Sequence, residues 1–175
     1  ESVAIIKGKT TDPGPTTPKE INVQRSTRKT QTMYSDILTV LGVPLIMSVM
    51  KPLNLLVATE VSVSRKATQL AQSLLAQVNK ARGNGFEVEK IFVDGETPLV
   101  AAGLILAEHR LQMIQVGAGE HVVIVERAIR VVKERVRCLL VDLPWPLPKG
   151  WVRYLVYYAV TRINSLPRMS GTGLS

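Results

Sequence analysis

The stretch that decides the fold runs Tyr34-Ser35-Asp36-Ile37-Leu38-Thr39-Val40-Leu41-Gly42-Val43-Pro44-Leu45-Ile46-Met47-Ser48-Val49-Met50-Lys51-Pro52-Leu53-Asn54-Leu55-Leu56-Val57-Ala58-Thr59-Glu60-Val61. It holds three apolar or β-branched runs, Tyr34 to Leu41, Pro44 to Val49 and Leu53 to Val61. Leu41-Gly42-Val43 and Met50-Lys51-Pro52-Leu53-Asn54 separate them. Short runs broken by Gly, Pro and Asn predict a three-stranded antiparallel meander. Their near-continuous apolarity predicts strands covered on both faces, since a half-solvated strand would alternate.

Downstream the period changes. Ala67, Leu70, Ala71, Leu74, Leu75 and Val78 recur at helical spacing, with Ser64 as the expected N-cap and Gly83-Asn84-Gly85 as the stop. Val88 to Val93 predicts a fourth strand ending at Asp94-Gly95. Thr97-Pro98 predicts an N-cap followed by proline at the first helical position, opening a helix to about His109. Leu111 to Val116 is a short fifth strand, followed by the flexible Gly117-Ala118-Gly119. From Glu120 to about Val141, the residues Val125, Ile129, Val132 and Val136, joined by Leu139 and Leu140, make one helical apolar stripe. Leu143-Pro144-Trp145-Pro146-Leu147-Pro148 cannot continue a helix, and Trp151 to Asn164 resumes as a further one. The expected fold class is α/β: a mixed five-stranded sheet, an antiparallel meander plus two parallel strands, flanked by helices.

Upstream the composition is different. Thr10-Thr11-Asp12-Pro13-Gly14-Pro15-Thr16-Thr17-Pro18 lies among Lys7, Lys9, Lys19, Arg25, Arg28 and Lys29. Residues 1–31 are expected to be a basic flexible arm or linker, 32–166 the folded core and 167–175 a frayed tail. The chain starts at Glu1, so it is expected to be cut from something longer.

Composition sets the class. The chain has 175 residues, 46% apolar and 21% charged, which is globular rather than disordered. Its net charge of +8 favours a polyanionic partner. A single cysteine, Cys138, excludes a disulfide-stapled domain, and with only His109 and His121 beside it no tetrahedral zinc finger can form. No apolar run reaches the roughly 20 residues that cross a bilayer, and no signal segment opens the chain. The expectation is an intracellular protein with no membrane partner.

Three acids stand out by placement. Asp36 lies inside the first strand, where a charge among apolar neighbours is costly unless something binds it. Asp94 is at the C-terminal tip of the fourth strand, where open α/β sheets bind ligands; before Gly95 it also suits a plain turn. Glu126, one residue from the apolar stripe, should point to the edge of the core, or be an ordinary surface acid.

Tyr34-Ser35-Asp36-Ile37, Phe92-Val93-Asp94-Gly95-Glu96 and Gly119-Glu120-His121-Val122-Val123-Ile124-Val125-Glu126-Arg127 resemble, in order and spacing, the three acidic motifs of retroelement integrases. Val125-Glu126-Arg127 running into Ile129-Arg130 and Lys133-Glu134-Arg135 is similar to copia-type LTR-retrotransposon polyproteins. Lys7-Gly8-Lys9-Thr10, Leu143-Pro144 and Ala159-Val160-Thr161-Arg162-Ile163-Asn164 extend the likeness from about residue 5 to 168. The resemblance implies a ribonuclease-H-like fold in which Asp36, Asp94 and Glu126 are catalytic and hold metal. The 31 residues between Asp94 and Glu126 are fewer than in retroviral integrases, and Glu120 and Glu134 are the competing third acids.

The chemistry explains the acids. Phosphoryl transfer on DNA needs charge neutralised at phosphorus and a hydroxyl activated. Two divalent ions about 3.5–4 Å apart do both, and carboxylate oxygens suit Mg²⁺ or Mn²⁺. The implied reaction is 3′-end processing followed by strand transfer of element cDNA into target DNA. The implied partners are DNA, the element ends and the target, and further copies of the chain, with integration placed in the nucleus. Two other readings are a degenerate, non-catalytic nucleic-acid-binding remnant and a different ribonuclease-H-like nuclease.

On the long helix Glu126, Arg130, Lys133 and Arg137 fall at i, i+4, i+7 and i+11, one face beside the apolar stripe. Phosphate contact is the functional reading, a solvated face with an i, i+4 pair the plain one. His121 either touches DNA or only opens the helix. Gly117 and Gly119 are too few for a nucleotide-binding fingerprint. Cys138 is expected as a small core residue, and Trp151, Tyr154, Tyr157 and Tyr158 as core or interface.

Overall fold

The computed structural model describes residues 29–61, 66–94, 97–116 and 123–166. The meander forms as expected: β1 (Thr30–Val40), β2 (Val43–Lys51) and β3 (Leu55–Glu60) pair antiparallel in sequence. Val40 pairs with Val43 across a two-residue turn, and Leu41 and Gly42 both have positive φ, +47° and +78°. Two positive φ values mark the type I′ turn, whose twist matches that of the strands it joins.

Helix α1 (Ala67–Gly83) then leads to β4 (Glu87–Asp94), α2 (Thr97–Ala107) to β5 (Gln112–Val116), and α3 (Val123–Val141) to a single 3₁₀ turn, Lys149–Trp151, and α4 (Val152–Ser165). Strands β4 and β5 add in parallel beside β1, giving the order β3-β2-β1-β4-β5.

Some boundaries differ from the sequence reading. Strand β1 begins at Thr30, ahead of the apolar run. Gln31 supports that start: it is 1% exposed, and its Oε1 accepts the Leu53 N–H at 2.9 Å. The N-cap of α1 is Lys66, with extended φ and ψ, whose carbonyl accepts the Gln69 and Leu70 N–H groups. Ser64, the expected cap, lies outside the described residues, as do residues 1–28, His121 and the tail from 167. Helix α2 takes Thr97 as its first residue and ends at Ala107, two short of His109.

Both faces of the sheet are covered. Met33, Ile46, Met50, Val57, Ile91 and Val93 pack with Leu70, Leu74 and Val78 of α1 and Ala102 and Leu106 of α2. On the other face Leu38, Leu45, Met47, Val49 and Leu56 pack with Val125, Ile129, Val132 and Val136 of α3 and Val152, Val156 and Ala159 of α4. This explains why Pro44 to Met50 are buried without interruption. A bulge is needed to keep β4 in phase. Gln31 pairs with Val88 but Thr32 with Lys90, so Glu89 is the extra residue, and Val88, Ile91 and Val93 all reach the first core.

The outer edge of β3 is closed by side chains of α4. The Asn164 amide takes both backbone groups of Leu56, accepting its N–H at 3.0 Å and donating to its C=O at 2.8 Å. The Tyr157 hydroxyl accepts the Glu60 N–H at 3.0 Å. Arg153 bonds the Glu60 carboxylate at 2.6 Å, which holds the guanidinium pKa above its ordinary value. Edge strands left open invite pairing with other chains, and these contacts occupy both backbone groups of Leu56 and the N–H of Glu60 on that edge.

Candidate active site at the tip of the fourth strand

Strands β1 and β4 run parallel with Tyr34 opposite Phe92 and Ser35 opposite Val93. The pairing ends there, and Asp36 and Asp94 are the residues that follow it on their strands. The rings of Tyr34 and Phe92 stack at 5.2 Å with 14° between their planes, so both project from the same sheet face. Side chains two residues apart on a strand share a face. Asp36 and Asp94 therefore project together from the α3 side, on strands about 4.8 Å apart.

Both aspartates are half-buried. Oδ1 of Asp36 accepts the Ile37 N–H at 2.6 Å, which fixes that oxygen close to its own backbone. Asp94 lines a small hollow with Tyr34, Ser35, Phe92, Val93, Val116 and Val125. Val125 belongs to the first turn of α3, so this helix starts over the strand ends. Glu126, the next residue, is exposed in that same turn. Among the described residues no three His, Cys, Asp or Glu side chains are grouped closely enough to hold a metal ion.

The cationic face expected on α3 is present: Arg130, Lys133 and Arg137 are exposed, one turn after another, beside the buried stripe. Glu134, a competitor for the third acid, is exposed two turns beyond Glu126. His121 and Glu120 lie outside the described residues.

Sequence reasoning passed over the aromatic floor of the hollow. A signal was available: Tyr34-Ser35-Asp36 and Phe92-Val93-Asp94 each place an aromatic two residues before the acid. On parallel neighbours in register that repeat must stack.

The element order, the mixed sheet and its helices define a ribonuclease-H-like fold, the fold of integrase catalytic cores. Among solved structures the chain is similar to the catalytic core domain of BIV integrase, with a TM-score of 0.64 at 16% identity over 80% of this chain and 87% of that one. It is also similar to the HTLV-2 integrase catalytic core domain in complex with magnesium, in a trimeric form, with a TM-score of 0.61 at 14% identity over 85% and 95%. No protein-family model matches the chain, and no curated protein matches it by sequence.

Proposed function

We propose that this chain is a metal-dependent DNA phosphoryl-transfer domain, the catalytic core of a copia-type retroelement integrase that carries out 3′-end processing and strand transfer. One observation carries the reading: Asp36 and Asp94, 58 positions apart in sequence, each follow the last parallel pair of β1 and β4, on the sheet face where α3 begins. Turn or surface roles would not require that convergence.

The donor chemistry fits a hard divalent cation in part. Asp36 and Asp94 offer carboxylate oxygens at neighbouring positions, and Glu126 would have to swing in from the first turn of α3 to complete the set. Two Mg²⁺ or Mn²⁺ ions bound there would neutralise charge at phosphorus and favour the attacking oxyanion. Clustered carboxylates repel one another until such charge is supplied, which makes the pair a poor structural feature and a good ligand. Arg130, Lys133 and Arg137 would hold the DNA backbone in register alongside, with His121 a further contact.

The partners proposed are the element ends and target DNA in the nucleus, and further copies of this chain. Trp151, in the 3₁₀ turn before α4, and Tyr154 and Tyr158 of α4 are 66%, 55% and 52% exposed, an apolar surface suited to self-association. The absence of a grouped third acid among the described residues favours one second reading, a non-catalytic nucleic-acid-binding remnant.

The test is Mn²⁺-dependent joining of a labelled DNA end to target DNA by the full-length protein. Asp36→Asn, Asp94→Asn and Glu126→Gln should each lower the rate at least about a hundredfold, the scale set by losing a group that stabilises transition-state charge. Unchanged joining by Glu126→Gln would remove it from the site. Salt-sensitive DNA binding without any metal response would favour the remnant.

A further inference from the structure

Strands β1 and β4 stop pairing just before the two aspartates. Their last parallel pair is Ser35 with Val93; β4 ends one residue later, while β1 runs on to Val40. The β1–β4 ladder therefore ends short of the residues whose carboxylates it would have to space. On the face those acids share, the paired side chains nearest them are Tyr34 and Phe92, with rings 5.2 Å apart and 14° from parallel. Ser35 and Val93, the pair in between, face the other way, Val93 into the first core.

Hydrophobic burial does not by itself account for Phe92. Along β4 this face carries Lys90, exposed, then Phe92 and Asp94, both half-buried. Phe92 belongs to neither core, whereas Tyr34 packs against the second, the one α3 covers. The stack thus ties the end of β4 to that core by way of Tyr34. Nor is the pair a platform for a base. The hollow it lines with Asp94, Val116 and Val125 has room for about one water molecule. Stacked rings keep a narrow range of separations, so strands that carry them are held in both spacing and register.

We propose, on the reading of Asp36 and Asp94 as metal ligands, that the Tyr34–Phe92 stack is a positioning device for the two carboxylates. It acts through the acids and supplies no ligand itself. By fixing their separation it sets which ion they accept. Mg²⁺ requires near-ideal octahedral geometry at about 2.0–2.1 Å, whereas Ca²⁺ takes roughly six to eight oxygens at about 2.3–2.6 Å in flexible arrangements. Carboxylates held at one spacing favour Mg²⁺, and carboxylates free to spread admit Ca²⁺.

Mn²⁺ bound to the whole chain, followed by electron paramagnetic resonance and displaced by Mg²⁺ or Ca²⁺, tests this without turnover. The ratio of the two displacement midpoints cancels any change in Mn²⁺ affinity. Phe92→Leu and Tyr34→Leu keep an apolar side chain but remove the stack. Each should weaken Mg²⁺ about three- to tenfold relative to Ca²⁺, the scale of an aromatic pair. Tyr34→Phe and Phe92→Tyr keep both rings and should keep the parent's ratio. A fold merely loosened would weaken both ions alike, so the ratio separates positioning from stability. Asp36→Asn should abolish the bound Mn²⁺ signal. If the parent binds no Mn²⁺, or Asp36→Asn still binds it, the aspartates are not a metal site and the stack's role falls with them. With that site intact, an unchanged ratio in Phe92→Leu, equal weakening of both ions, or complete loss of Mn²⁺ binding overturns the stack's role alone.

Discussion

Ser35 and Ser48 face one another across β1 and β2, 2% and 0% exposed, with their hydroxyls 2.8 Å apart. Either hydroxyl alone would be a stranded polar group in an apolar layer. Ser35→Ala and Ser48→Ala should each cost about 1–2 kcal/mol, and the double variant less than their sum. Urea unfolding of the four proteins measures it, and strict additivity would contradict the pairing. Asn164 satisfies both backbone groups of Leu56, so Asn164→Ala should cost about 1–3 kcal/mol, read as a lower urea midpoint at unchanged slope. At this scale the placement of Asp36 inside β1 and of Asp94 at the tip of β4 was legible, because an acid in either position conflicts with its surroundings. Neither the serines nor Asn164 was. Their role depends on partners 13 and 108 positions away.

Among the elements, the β1–β2 hairpin carries a visible conflict. Its type I′ turn needs two residues at positive φ, and Leu41, 53% exposed, is a poor occupant. Leu41→Asn should raise stability by about 0.5–1 kcal/mol, seen as a higher melting temperature. Helix α3 divides its duties between faces. Lys133→Glu and Arg137→Glu lie on the exposed side, so they should leave the melting temperature nearly unchanged. Together they should lower DNA affinity and flatten its dependence on salt. An unaltered salt slope would make this a merely solvated face. The helix periods and the Gly and Pro breaks announced most elements correctly. The start of β1 was hidden because Thr30-Gln31-Thr32 looks like loop by polarity, and only the Leu53 N–H that Gln31 receives reveals the strand. The Glu89 bulge was hidden for a related reason: it shifts phase in a way no single-strand pattern displays.

For the whole molecule, the decisive feature is a sheet with two covered faces whose central strand, β1, pairs antiparallel on one side and parallel on the other. The antiparallel side follows from the meander, which the sequence displays through its short turns. The parallel side places the fourth strand's tip against the middle of the first, so that two aspartates distant in sequence each follow the last paired residues of the two strands. The third acid depends on where the first turn of α3 stands, and the apolar stripe from Val125 to Val136 fixes the helix's rotation but not its advance along the sheet. The central claim is thus that Asp36 and Asp94 form a divalent-cation site that α3 completes. Anomalous diffraction from crystals of this chain soaked in Mn²⁺ tests it most directly. The account predicts manganese between the carboxylates of Asp36 and Asp94, with Glu126 as a ligand, and no such peak in Asp36→Asn. Manganese bound elsewhere, or none at the two aspartates, would contradict it.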